Sequence, residues 1–479
     1  MRKAITILLV ISTIITAMGC SNTEGVKTVE KGIETNTVNS ESSDVQVKKK
    51  EINLNLVKEE AGTSYCSNER GFYYIDKRAE GFKLKDGTEA SPIMYVDYST
   101  RKEVFLCNNS GCKHDTEACT AVISGKDLTM DQILFLHNGS LYLLIKNYDM
   151  EGTSSINMNS DGDDVENEKE NKSQILYKMK ADGTDRKKVY EFEKGITVDD
   201  LVIQDNNSLY FIIKKLETKK SDNNMTYNTV SEKRLIKIDD STGKDEKVCD
   251  LNIGDEKSSW NIVGCFGTKV IIDGYIEDHK LSDEERKKDI EDADFSRELS
   301  SKSKTEFATV DIITGDVKKI CSFSNKEFCN GHVTVDNCLY YMLDGKKKIY
   351  TTNLETGEEN ILTEFTEKGI SILKKFSDAL CCDNWGQERE KYFYFVNIKD
   401  GKVSKSSLTT KTLGWPIEFL GETKDKCLVI YDYDAKKSGI DDESYDISQN
   451  KFALIDKEDL YKGKENFKPI EMIGSGLID

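Results

Sequence analysis

Asp131–Ile145 reads DQILFLHNGSLYLLI, two apolar stretches of strand length joined at Asn138-Gly139. The first stretch reads as a strand leading into a polar turn, and the second as a short apolar strand following that turn. The second half of this hairpin recurs along the chain. It returns as RGFYYID (70–76), NSLYFII (207–213), TKVIIDG (268–274), NCLYYML (337–343), DALCCDN (378–384) and KCLVIYD (426–432). Phe72, Leu141, Leu209, Val270, Leu339, Leu380 and Leu428 hold the equivalent position, at intervals of roughly 40 to 70 residues. Each copy is expected to be followed by a second hairpin, as in ILYKMKADGTDRKKVYEF (175–192) and FATVDIITGDVKKICSF (307–323), with Asp-Gly or Thr-Gly at the tip. Gly183, Gly243, Gly315, Gly357 and Gly401 supply the positive φ such tips need. A strand also precedes each anchor. Four short antiparallel strands per unit, repeated seven times, predict an all-β, seven-bladed β-propeller, a ring that leaves only short protected edges. Two stacked β-sandwiches would not repeat one hairpin grammar in this way. Glu51–Val57 (EINLNLV) is expected to add a strand that closes the ring against the last blade.

The repeats differ most between their second and third strands. Extra residues fall near 149 to 173, 218 to 231, 277 to 303 and 434 to 449. In an up-and-down blade these loops share a face with the blade-to-blade connections, so the insertions are expected to crowd one face. In the third, Ser282 and Glu285 have capping-box spacing ahead of Ile290, Phe295 and Leu299, which predicts a short helix. In the first, Asn157, Asn159, Asp161, Asp163 and Glu168, with Gly162 at the bend, match the alternation of a calcium loop. Asn157 stands where that loop starts with Asp and Asp164 where it has an apolar residue, so a solvated acidic loop is the competing reading.

The chain has a different character before residue 51. Arg2 and Lys3 precede an apolar run from Ala4 to about Ala17, too short to remain as a membrane span and shaped as an export signal. Ala17, Met18, Gly19 and Cys20 resemble the lipobox of bacterial lipoproteins, which implies cleavage before Cys20 and diacylglycerol on its sulfur. Residues 21 to 50 are polar and hold too few large apolar groups to offset their ordering entropy. The expected organisation is a signal peptide over 1–19, a lipid-anchored disordered tether over 20–50 and the propeller over 51–479. That places the protein on the extracytoplasmic face of the cell membrane. With 68 Lys+Arg against 86 Asp+Glu, a net charge of -18, a nucleic-acid partner is not expected, because phosphate contacts need clustered cations. A monomer is expected.

Thirteen cysteines are many for an exported chain. Cys249 and Cys321 end equivalent strands, and Cys338 and Cys427 fall where other repeats have Ser140 or Ser208, so these four read as small apolar core residues. CNNSGCKHDTEAC (107–119) is another matter. Cys107, Cys112, His114 and Cys119 could complete a tetrahedral zinc site, although the spacing lacks the usual C-x2-C pair. An exported setting favours instead one disulfide with a spare thiol, Cys107 with Cys112 or Cys112 with Cys119, and unlinked residues are the third reading. The stretch VFLCNNSGCKHDTEACTAVI (104–123), after a lipobox, a polar tether and FYYID, resembles lipoproteins of clostridia-like bacteria with a TolB-like propeller. That resemblance implies a fold and an address without a reaction.

No G-x-S-x-G, H-E-x-x-H or G-x-x-x-x-G-K-[ST] motif is present, nor the Asp-box repeats of sialidase-like propellers. Of four histidines, His137 and His332 fall in or beside strands, where structural roles are usual. The leading expectation is a displayed module that binds a protein or glycan on its insertion-bearing face. The alternatives are a carbohydrate-active enzyme using paired carboxylates and an envelope sensor component. Carboxylates facing each other in an aromatic-walled channel would favour the enzyme, and a channel filled by apolar side chains would favour the binder.

Overall fold

The computed structural model describes residues 52–478 except 59–62, 79–80, 130, 147–172, 221–225, 252–258, 278, 280, 283, 286–287, 290–291, 344, 368, 385–391 and 439–443. Cys20, the segments assigned to signal and tether, and the calcium-like loop from Asn157 to Glu168 lie outside the described residues.

Seven antiparallel sheets form the ring, each built on four strands that are consecutive in sequence except in blade I, where the short strand Phe82–Lys83 intervenes between the second and third. Blade II is representative, with Asp131–His137 innermost, then Ser140–Lys146, Ile175–Lys180 and Lys187–Glu191. All seven anchors, from Phe72 to Leu428, lie in second strands and are 0% exposed. Their burial is the energetic content of the repeat, worth about 1.5–3 kcal/mol for each side chain removed from water. Neighbouring blades share these cores: Leu209 and Ile213 of blade III pack with Ile133, Tyr142 and Leu144 of blade II.

The hairpin glycines meet a second demand besides positive φ. A Cβ on Gly243 would lie 2.3 Å from the carbonyl oxygen of Val189, in the outer strand of the preceding blade. Gly401 stands likewise 2.2 Å from Leu362 O. At both positions the tip of one blade leans on the backbone of the blade before it, and only a residue without a side chain fits.

Two of the expected insertions are extensions of the sheet. In blade III the second and third strands lengthen to Ser208–Lys220 and Thr226–Asp239, and in blade VII to Lys426–Lys437 and Tyr445–Asp456. Blade IV carries helix α1 (Ala293–Lys302), capped by Asp292 and seated by Leu299. The capping box forms upstream of it: Ser282 N–H donates to Glu285 Oε2 at 2.9 Å and Glu285 N–H to Ser282 Oγ at 3.3 Å. All these features join second to third strands and so share a face with the blade connections. Among the described residues, no helix is long and apolar enough to cross a membrane.

Ring closure corrects one expectation. Strand β1 (Asn55–Lys58) does not pair with the last blade; it adds to the inner edge of blade III, antiparallel to Val202–Gln204. Leu54 joins the apolar cluster of Leu201, Ile203, Trp260 and Ile262, Leu56 packs beside it, and Val57 packs on the blade II–III cluster. The last blade already has four strands of its own, whereas the channel side of blades III and IV offers apolar surface to cover. The ring closes instead through the C-terminal segment, laid between blades VII and I. Glu103, 3% exposed, accepts from Ile473 N–H at 2.6 Å, from Gly474 N–H at 2.5 Å and from the Tyr74 hydroxyl. Ser475 N–H donates to Asp76 at 3.0 Å, and Asn450 N–H to Ser475 O at 2.9 Å.

Candidate metal centre

The outer strand of blade I, Lys102–Phe105, leads into the connection that carries the cysteine-histidine stretch. Beyond it, Val122–Ser124 pairs with Ala90–Pro92, the first half of blade I's long third strand. Both ends of the connection are therefore fixed by sheet. Within it, Gly111 (φ 80) and His114 (φ 57) take left-handed conformations that turn the chain back on itself. Arg186, from the third-to-fourth turn of blade II, donates to the carbonyls of Thr120 and Val122, and Asn108 donates to Asp182 in that same turn. The connection thus bridges blades I and II.

This fold brings the donors together. The ligand atoms of Cys107, Cys112, His114 and Cys119 all lie within 4.8 Å of one another. Zinc bonds of about 2.3 Å to sulfur in a tetrahedron give sulfur-to-sulfur edges of ~3.8 Å, so the set needs only a small contraction to hold an ion. His114 Nδ1 already stands 3.3 Å from Cys119 Sγ, and the ring is held by stacking on Phe105 at 4.3 Å and 15°. His114 N–H points to Cys112 Sγ at 3.4 Å. Cys119 is buried and the other three are half-buried. All three sulfurs are free thiols.

The electrostatics suit a cation. Burial acts to raise the Cys107 thiol, but hydrogen bonds from Asn109 N–H, the Thr120 hydroxyl and the neighbouring thiols bring it below its ordinary value. Burial pushes Cys119 up to about 12, with hydrogen bonding to the other two thiols adding to the rise. Burial also lowers His114, keeping its imidazole neutral and able to donate a lone pair. Three sulfurs crowded together resist joint ionisation until a cation offsets their charge. The residues therefore fit a thiophilic divalent metal. With four protein donors the coordination shell would be complete, as in structural rather than catalytic zinc sites.

Elsewhere the sequence candidates have structural places. Cys249 and Cys427 are buried in blade cores, while Cys321 and Cys338 are half-buried against them. His137 ends the inner strand of blade II and contacts Gln204; His332 lies in the inner strand of blade V, 3.4 Å from Asp273. Phe105 and Arg186, which orient and brace the cluster, were not singled out from the sequence. An aromatic residue two places before the first cysteine was the only signal for Phe105, and nothing local pointed to Arg186.

No family model matches the chain, and no curated protein does. Solved structures similar to it include oligogalacturonate lyase from Vibrio parahaemolyticus, at 12% identity over 84% of this chain and 86% of that one, with a TM-score of 0.40. The β-propeller domain of the Trilobed protease from Pyrococcus furiosus shares 10% identity over 86% and 98% of the two chains, with a TM-score of 0.42. TolB from Acinetobacter baumannii shares 11% identity over 83% and 82%, with a TM-score of 0.32. These likenesses are remote, and no ligand or chemistry passes from them to this chain.

Proposed function

We propose that this protein is a lipid-anchored, extracytoplasmic β-propeller that acts as a binding module, with zinc as the structural ion of its cysteine-histidine centre. The observation that carries the binding reading is strand β1 in the channel. Its residues occupy the inner edge of blades II to IV, which is space a propeller enzyme would use to surround a substrate. Recognition then falls to the opposite kind of surface, the face bearing α1 and the two long hairpins. The acidic balance of -18 favours basic or neutral partners there. Lipid on Cys20 accounts for the polar stretch between the export signal and the first strand.

A photo-crosslinking residue in place of Glu298, exposed on α1, should give a discrete adduct on intact cells, and one in place of Asn138, in a first-to-second turn, should not. Adducts only from Asn138 would overturn the assignment of the binding face. Cys20→Ala should release the protein to the medium or leave it unprocessed. Retention in a carbonate-washed membrane pellet would refute the anchor.

A further inference from the structure

Trp415 stands 38% exposed on the connection from blade VI to blade VII, on the same face as the insertions. The other exposed large apolar residues described, Val104, Ile313, Ile361, Val403 and Ile473, are aliphatic and scattered. The backbone that presents Trp415 is tightly built. Thr410 N–H donates to Trp415 O at 2.6 Å, Trp415 N–H to Thr410 Oγ1 at 3.1 Å, and Gly414 turns the chain at φ 64. Thr412 N–H ties the loop to Asp432 at 2.9 Å. A rigid loop that keeps a large aromatic ring in water spends apolar surface that folding alone would bury, which is the pattern of a preformed anchor for a ligand.

The surroundings of that ring decide the ligand's chemistry. Tyr433 and Tyr445, from the long hairpin of blade VII, meet Trp415 edge to face, with centroids at 5.7 and 6.3 Å and planes at 70° and 89°. Tyr433 donates to Glu418 at 2.6 Å, which fixes that carboxylate beside the aromatic group. Burial alone would raise Asp432, yet hydrogen bonding from Thr412 and the nearby Lys451 bring it below the usual carboxylate range. Lys451 pairs with Asp434 at 2.5 Å and Lys437 stands across from Tyr445 in the hairpin, while Glu418 and Asp432 are the carboxylates tied to the aromatic group, through Tyr433 and Thr412. Aromatic faces carry negative potential, and carboxylates around them add to it, so the complementary group is a weakly hydrated cation.

We infer that Trp415 and Tyr445, with Glu418 and Asp432 beside them, bind an alkylammonium group. This deepens the binding-module reading by naming what that face recognises, and it rests on that reading. The test uses the purified full chain at constant ionic strength, titrated with tetramethylammonium chloride and, in parallel, with neopentyl alcohol, its neutral isostere. Saturable binding of the cation is expected, with the isostere at least tenfold weaker. Trp415→Ala should weaken cation binding about tenfold and Glu418→Gln roughly three- to tenfold, with the melting temperature of the Gln variant unchanged. Equal binding of the isostere, or binding of a neutral oligosaccharide in place of the cation, would make the patch an apolar or glycan platform and overturn the inference. Absence of any binding would overturn it too. Failure here with the Glu298 crosslink intact would count against this site alone; failure of both would count against the reading beneath it.

Discussion

Leu54→Ala tests whether the channel is filled as described. Leu54 is 5% exposed, packs with Leu201, Ile203, Trp260 and Ile262, and donates its N–H to Gly267 O at 2.9 Å. Truncation to alanine removes three carbons, about 2.4 kcal/mol of transfer free energy at ~0.8 kcal/mol each. Incomplete collapse of the hole adds to that, and core Leu→Ala changes span about 2–5 kcal/mol. An overall loss of about 3 kcal/mol is expected, within that span. Urea unfolding with unchanged slope measures it. Hydrogen exchange localises it: amides of residues 52–58 should exchange faster in the variant, while those of blades VI and VII keep their rates. A loss below about 0.5 kcal/mol, or fast exchange of residues 52–58 in the unaltered protein, would show that the strand does not sit in the channel. The inner edge of blades II to IV would then be free to surround a substrate.

The metal centre predicts that protein purified without added metal carries near-stoichiometric zinc and that His114→Ala loses it, read by elemental analysis. Retention of zinc in that variant would remove His114 from the ligand set. The seam predicts a pH effect. Burial raises Glu103 above its ordinary 4.5 in the folded state, so its contribution to stability is present below that value and is lost as pH rises through the raised one. Glu103→Gln should flatten this fall, compared by melting the two proteins from pH 4 upward; parallel curves would refute it. In blade IV, Gly274 lies opposite Trp260 in register, and a Cβ there would sit 2.7 Å from the indole. Gly274→Ala should therefore cost about 1–3 kcal/mol by overpacking, and a neutral effect on the urea midpoint would show the indole free to move.

The ring was legible in the sequence because its core is local: one apolar anchor per blade and one glycine per tip repeat whatever the neighbours do. What depended on neighbours was not legible. EINLNLV shows a strand but not its partner, since pairing with Val202–Gln204 depends on the apolar edge left by blades III and IV. The stretch LETKK (216–220) carries no alternating apolar signal, so the extension of blade III looked like a loop. The four metal donors could be named from composition. Their convergence could not, because it follows from left-handed turns at Gly111 and His114 and from Arg186, some seventy residues downstream. Trp415 in LGWP (413–416) went unremarked because exposure cannot be read from one tryptophan beside a proline.

Strand β1 runs opposite to its partner, with Asn55 across from Gln204 and Lys58 across from Val202, and Leu54 bonded at the first-to-second turn of blade IV. The N-terminal end of β1 therefore lies at the turn face, away from α1 and the long hairpins. Traction on that end along the strand loads its bonds to blade III in shear, together, rather than unzipping them one by one. The seam at Glu103 lies elsewhere on the ring. A pull on the N-terminal end of β1 is therefore expected to load that strand before the joint that holds the ring shut.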